Sequence, residues 1–411
     1  MTECQEIQKN RSKSTSWAFF ATSLLNEPLE VLFSTLAAAI LCRDLKATLF
    51  QMALFSTLKP LVSLLSYYWS FWLQRHPHSL VKNIIFTGVL ARLPLFFIPF
   101  VTSPTPMIAC LACYMMLNRG GMPAWMELLK QNIPSQKRNS LFSWSSTLGY
   151  LEGAIIGVAL GFALDNGTQL WRIFFPVGAA ISMMGVFFQA KIPQKEPVKI
   201  AFTLPQPKEL ILAPWKESLA LLKERPDFAF FQWCFMAAGA GIMLIVPVAP
   251  IFFVKVLNLS YTDIAVAIAL AKGLGFVATS PLWSLWLNRV GIYKTCALVF
   301  AVFSLYPDFL IFATIHPAPL LLACFFYGVG QAGSHLTWHL SGAIFAHNQD
   351  SRRFSEVNVV AVGLRGAVVP SLGIVLFSLI GPVWLFAVSS LLCFVPGLFL
   401  LKKVQPAIAV E

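Results

Sequence analysis

The sequence predicts an all-α integral membrane protein of about 12 transmembrane helices, arranged as two parallel six-helix repeats. Three observations predict it. Of 411 residues, 57% are hydrophobic and 12% are charged, about half the charged share of an ordinary soluble domain. That leaves too little water-compatible surface, so lipid must serve as solvent. About twelve continuous apolar stretches come close to the ~20 residues that a bilayer crossing needs. The chain also repeats itself at an offset of about 214 residues.

Taken in order, the first sixteen residues are polar, and the apolar run after them is too long and lacks a small-residue cleavage site, so a cleaved signal peptide is not expected. Six spans are then expected at about 17–42, 46–73, 84–102, 106–130, 141–164 and 171–190. Their apolar character is continuous rather than alternating, which selects helices over barrel strands. Residues 191–226 are the longest non-apolar stretch and carry Pro193, Pro197, Pro205, Pro207, Pro214 and Pro226, the composition of a semi-rigid linker. Within it, Trp215–Lys223 is amphipathic and suited to the membrane surface. Six more spans are expected at about 227–254, 261–287, 295–315, 319–346, 355–379 and 382–401. The expected domains are therefore a six-helix bundle over 1–190, a cytoplasmic linker over 191–226 and a second bundle over 227–411.

Orientation follows from charge. With a cytoplasmic N-terminus, 21 of the 30 Lys and Arg fall in cytoplasmic segments; four (Arg43, Lys46, Arg172 and Lys255) lie opposite, and five lie within spans. This positive-inside bias places both termini in the cytoplasm of a multi-pass protein of the cell (inner or plasma) membrane. The net charge of +12 is then a topology signal rather than a mark of nucleic-acid binding, with anionic lipid headgroups as secondary partners. Seven of the eight cysteines sit in or beside apolar runs, and Cys110 and Cys113 read as small packing residues within a helix.

The repeat is specific. Trp69–Arg75 (WSFWLQR) matches Trp283–Arg289 (WSLWLNR), Pro94 matches Pro307, and Gly149 matches Gly363. Tyr114, Gly120 and Trp125 match Tyr327, Gly333 and Trp338. Six spans is an even number, so both halves enter from the same side and the repeats are parallel.

These features resemble the major facilitator superfamily. The loop after the second span of each half is similar to that family's G-x-x-x-D-R-x-G-R-K signature: Ser284 through Lys294 in one copy, Ser70 through Pro77 in the other. Arg is kept in both copies and the second Gly in one; Ser replaces the first Gly, and Gln or Asn replaces the Asp. The resemblance implies Arg75, Asn288, Arg289 and Gly291 as gating-loop residues. Leu117-Asn118-Arg119 resembles the start of the family's fourth-span L-x-R-x-x-Q-G, from which Met122 and Pro123 depart. The resemblance further implies transport by alternating access, with spans 1, 2, 4, 5, 7, 8, 10 and 11 lining a central cavity.

Ionisable groups within a bilayer cost ~2.5–3.5 kcal/mol each at mid-helix and by default mark a functional interior. Here they are Glu27, Glu30, Lys59, Arg119, Glu152, Lys272, His335, His339 and Arg365, all on spans that the resemblance places at the cavity. Arg92 and Asp308 lie on the other spans and are expected to make structural pairs. Lys59 and Lys272 differ by nearly the repeat offset, as do Glu152 and Arg365. The cations Lys59, Arg119, Lys272 and Arg365 outnumber the carboxylates Glu27, Glu30 and Glu152, so with His335 and His339 they form the expected site for an anionic or zwitterionic solute. Glu27 and Glu30 share one helix face beside Pro28, and one of them is the expected proton-coupling group, with Glu152 as the alternative coupling carboxylate. The alternative is internal pairing: Glu27 or Glu30 with Lys59, and Glu152 with Arg119 or Lys272.

His335 and His339 stand four apart, with no third ligand at useful spacing, so hydrogen bonding or proton relay is expected rather than a metal. Gly149, Gly153, Gly157 and Gly161 form a small-residue stripe that lets another helix approach. Tyr67, Tyr68, Trp69 and Trp72 are expected to be membrane-interface anchors or cavity walls. No catalytic motif, phosphate-binding loop or cofactor signature is present, so an enzyme is not expected and an ion gradient is the expected energy source. The expectation is a proton-coupled, symporter-like secondary transporter, with sodium as the other candidate ion, acting as a functional monomer and moving a small polar anionic or zwitterionic metabolite by alternating access. An exporter of amphipathic drugs or lipids and a non-transporting receptor or scaffold are the alternatives.

Overall fold

The computed structural model describes residues 3–74, 80–167, 169–193, 207–346 and 351–403. Among them the chain is almost wholly helical, without a strand. Among the described residues, seven stretches are long and apolar enough to cross a membrane: Asn10–Arg43, Leu80–Phe100, Leu148–Asn166, Trp171–Ala190, Pro226–Val256, Tyr261–Ala313 and Arg353–Leu401.

Two of these, of 53 and 49 residues, would run ~80 and ~74 Å as straight helices, more than twice the ~30 Å hydrocarbon layer. Each is broken at a glycine in the left-handed region, Gly291 (φ 78°) and Gly381 (φ 76°), a conformation that a Cβ disfavours. Gly291 is the glycine retained from the loop signature. Its place in the sequence pattern thus has a backbone cause: it joins two helical arms.

Contacts divide the chain into two compact units. The first comprises Met1–Gln51, Val62–Phe202 and Ser260–Ala265; the second comprises Met52–Leu61, Thr203–Leu259 and Val266–Glu411. In the first unit, α1 (Glu3–Val31) packs on α6 (Ser135–Asn166) and α7 (Trp171–Ala190), while α4 (Leu80–Arg92) packs on α5 (Pro104–Asn132) and α7. Apolar association gives little drive between helices in lipid, so close packing and interhelical hydrogen bonds hold them. Thr22 donates to the Gly185 carbonyl at 3.3 Å, tying α1 to α7.

Arg92, 4% exposed, forms the structural pairing expected of it, but with neutral partners. Its Nε donates to Ser182 Oγ at 2.8 Å, Nη1 to the Gly88 carbonyl at 2.6 Å and Nη2 to Asn26 Oδ1 at 3.2 Å. Ser182 Oγ donates in turn to Asn26 Oδ1 at 2.6 Å. Asp308, by contrast, makes no ion pair among the described residues.

In the second unit, α9 (Pro226–Ile245) packs on α14 (Ser351–Leu401), and α12 (Lys272–Ala313) packs on α13 (Pro319–Ala346) and α14. Its core is aromatic: Phe228, Phe231, Phe345 and Phe354 are fully buried, with Phe231 and Phe345 ring centroids 4.9 Å apart. Glycines bring backbones together, since a Cβ on Gly275 would lie 2.2 Å from the Phe325 carbonyl oxygen and one on Gly373 2.1 Å from that of Leu244.

The internal repeat has a packing cause. In the first unit the Trp69 indole covers Gly120, 3.1 Å from where a Cβ would sit; in the second the Trp283 indole covers Gly333 at 2.8 Å. Trp69 thus packs against α5. The side chains of Tyr67, Tyr68 and Trp72 lie outside the described ones.

Candidate functional site

Each unit carries its own set of ionisable groups in membrane-spanning helices. In the first unit, α1 runs unbroken through Pro28, although the missing N–H leaves the carbonyl four residues earlier without its helical donor. The helix widens one turn later, in a π-turn at Leu32–Leu36, a form often found at functional sites.

Glu27 projects from α1 onto α6. Its Oε1 lies 2.6 Å from the position of a Cβ on Gly153, and Oε2 lies 3.3 Å from that of one on Gly149. Two glycines of the stripe therefore make room for a carboxylate as well as for a helix. The helix approach expected of the stripe occurs farther along, where Gly161 lies 2.8 Å (Cβ position to oxygen) from the Tyr261 carbonyl of α11 (Tyr261–Ala265). Glu27 forms no ion pair among the described residues. Glu30 is half-buried one turn on, and Glu152 points a buried Oε2 that lacks a hydrogen-bond partner among them. Arg119, on α5, is exposed.

A second polar feature of this unit was not singled out in the sequence. Asp165, at the end of α6, accepts from the backbone N–H groups of Tyr261 and Thr262 at 2.8 Å each and from Thr262 Oγ1 at 2.7 Å. It thereby caps the N-terminus of α11 from another helix. Arg43 stands 3.7 Å from the same carboxylate and 5.0 Å over the Tyr261 ring.

In the second unit a π-turn at Val266–Ala271 leads directly into Lys272. The Lys272 ammonium lies 5.6 Å over the Tyr327 ring, within cation–π range. A Cβ on Gly328 would stand 2.0 Å from the Lys272 carbonyl oxygen, so α12 and α13 meet backbone to backbone at the lysine. Farther along the same seam, the Phe276 and His335 rings meet edge to face at 5.7 Å. His335 and His339 are 6.4 Å apart at 90°, and Trp338 abuts His339 at 4.7 Å. Lys272, His335 and His339 thus share one helix seam, with aromatic partners that the sequence did not single out as site residues. Tyr327 carried a faint signal as a repeat match; Phe276 carried none.

Arg365 projects from α14 onto α9. Its Nη1 donates to the Phe235 carbonyl at 3.1 Å, while Nε is buried without a partner among the described residues. The Lys59 side chain and all of Arg75 lie outside the described residues. Asn288 and Arg289 are exposed beside the buried Gly291.

A family model described as Major Facilitator Superfamily matches residues 18–351. No curated protein matches the chain. Among solved structures, the nucleoside transporter NupG is similar with a TM-score of 0.66 and 13% identity, covering 96% of this chain and 100% of that one. A peptide transporter, POT, has a TM-score of 0.73 and 13% identity over 96% of this chain and 97% of its own. A bacterial homolog of the human lysosomal transporter Spinster, inward-facing and unoccupied, has a TM-score of 0.59 and 11% identity over 97% and 99%.

Proposed function

The chain belongs to the major facilitator superfamily, and we propose that it is a proton-coupled secondary transporter of a small polar anionic or zwitterionic solute, working by alternating access. That it is a multi-pass membrane transporter rests on the family match and the fold. The finer reading is carried by one observation: the first unit holds Glu27 against α6 within the membrane-spanning helices, while the second unit carries Lys272, His335, His339 and Arg365. Ionisable groups persist in such helices against a cost, and the usual reason is contact with cargo or coupling ion.

The second unit supplies the cations. Lys272 and Arg365 are the groups for the solute's acidic end, with His335 and His339 as hydrogen-bonding neighbours. The first unit supplies the carboxylate that takes up and releases the proton, Glu27 or Glu30, with Glu152 as the alternative. The excess of Lys and Arg in alternate loops supports cytoplasmic termini. Fold neighbours named for nucleosides and peptides are compatible with a polar cargo.

The test is uptake into proteoliposomes of a panel of labelled monocarboxylates, dicarboxylates, phosphate esters and amino acids, with and without an inward proton gradient. At least one should accumulate, faster with the gradient and not with a protonophore. Absence of uptake across the panel would overturn the solute class, and indifference to the protonophore would overturn proton coupling. Acceleration by a sodium gradient instead would replace the proton with sodium.

A further inference from the structure

A Cβ on Gly239 would lie 1.8 Å from Arg365 Nη1 and 2.3 Å from its Cζ. No side chain of any size fits there while the guanidinium stays where it is. We infer that Gly239 is the positioning residue for Arg365, and that the guanidinium edge it leaves free is a carboxylate subsite on the α9–α14 seam. This rests on the transport reading above and assigns the acidic group of its solute.

A guanidinium has five N–H groups in a planar fork. One edge here is occupied, with Nη1 bound to the Phe235 carbonyl. Nε is buried and unpartnered, and Nη2 makes no hydrogen bond among the described residues. The Nε–Nη2 edge that remains is a fork that a carboxylate fills with two parallel bonds. No carboxylate of the described residues pairs with Arg365, although a cation in this setting is costly without a counter-charge.

The first unit gives independent support, because it contains the same device with the sign reversed. There the charge, Glu27, sits on the first span, and the notch, Gly149 and Gly153, sits on the fifth. In the second unit the notch is on α9, its first span, and the charge is on α14, in its fifth. Both units thus seat an in-membrane charge against a glycine of the corresponding helix pair, with charge and notch exchanged. A glycine needed only for close helix packing would meet backbone or apolar atoms, as Gly373 does on Leu244. The atoms nearest Gly239 are those of the guanidinium.

The probes are a carboxylate that stabilises or is carried by the wild-type protein, and its uncharged methyl ester. Each is measured by thermal shift of the detergent-solubilised protein and by competition in the uptake assay. Gly239→Ala should weaken the acid by about tenfold or more, the loss expected for a displaced charged hydrogen bond, and leave the ester unchanged. Adding Arg365→Lys to Gly239→Ala should restore part of the acid's affinity, because a lysine ends without the Cζ and Nη1 that the alanine methyl displaces. Equal weakening of acid and ester, or no rescue, would mean that Gly239 only packs, and would overturn the subsite.

Should Gly239→Ala not fold, phenylglyoxal labelling of Arg365 in the wild-type protein decides. The acid should slow labelling and the ester should not; equal rates overturn the proposal. An acid-over-ester preference that depends on Gly239 in a protein that moves no solute would keep the subsite and remove the transport reading. Transport with no such preference would do the reverse.

Discussion

Glycine to alanine adds one methyl, and the structure predicts opposite outcomes at two glycines. At Gly328 the new Cβ would lie 2.0 Å from the Lys272 carbonyl oxygen, 2.9 Å from its carbonyl carbon and 3.0 Å from Phe276 N. All three are backbone atoms of α12, so no rotamer change relieves the clash. Restoring an ordinary contact near 3.4 Å requires α12 and α13 to separate by about 1.4 Å at that point. Overpacking usually costs ~1–3 kcal/mol, and a clash between two backbones belongs at the upper end. At Gly153 the new Cβ would lie 2.6 Å from Glu27 Oε1, the far end of a flexible side chain, with Val31 next at 3.5 Å. A χ rotation of Glu27 clears it, at a cost of about 1 kcal/mol or less.

Gly328→Ala should therefore lower the thermal midpoint of the detergent-solubilised protein by several degrees and shorten its half-life on warming. Gly153→Ala should leave the midpoint nearly unchanged while moving the Glu27 carboxylate. Size-exclusion monodispersity after graded heating reads both. Equal midpoints for Gly328→Ala and wild type would refute the backbone contact at Lys272. A large drop for Gly153→Ala would show that the Glu27 seat is rigid.

Three further outcomes follow from named contacts. Glu27→Gln should keep solute binding but lose the acceleration of uptake by a proton gradient, because the amide has the shape of the acid without its proton chemistry; retained acceleration moves coupling to Glu30 or Glu152. Asp165→Ala removes three hydrogen bonds to Tyr261 and Thr262 and should cost ~1 kcal/mol as a lost cap, visible as faster hydrogen exchange at those two amides. Asn26→Ala leaves Arg92 Nη2 and Ser182 Oγ without their shared acceptor, so it should destabilise the first unit by ~1–3 kcal/mol, whereas Asn26→Asp, which retains an acceptor and adds a counter-charge, should be tolerated better in the same melting assay.

Much of the fold was legible because lipid enforces a simple rule. A helix that crosses a bilayer must be apolar along its length, so the runs stand out from one sequence without any knowledge of partners. The repeat was legible because the Trp-on-Gly contact recurs in both units, at Trp69 with Gly120 and at Trp283 with Gly333. The loop signature exposed Gly291, while Gly381 announced itself only as a glycine before Pro382. In both cases the deciding property is positive φ, which composition shows only as the presence of glycine.

The candidate site was less legible, and the reason is the kind of partner each charge takes. Sequence reasoning matches charges with opposite charges, because those are the partners it can see. Arg92 took Asn26, Ser182 and the Gly88 carbonyl; Arg365 took the Phe235 carbonyl; one neighbour of Lys272 is the Tyr327 ring face. Backbone carbonyls occur at every residue, and ring faces are common in a chain that is 14% aromatic, so neither leaves a mark at a particular position. The glycine stripe shows the same limit from the other side. Its spacing correctly signalled that something comes close to α6, but spacing does not distinguish a helix backbone from a carboxylate. At Gly161 the neighbour is backbone, and at Gly153 it is Glu27. The glycines beside in-membrane charges are therefore where mutation should separate packing from function.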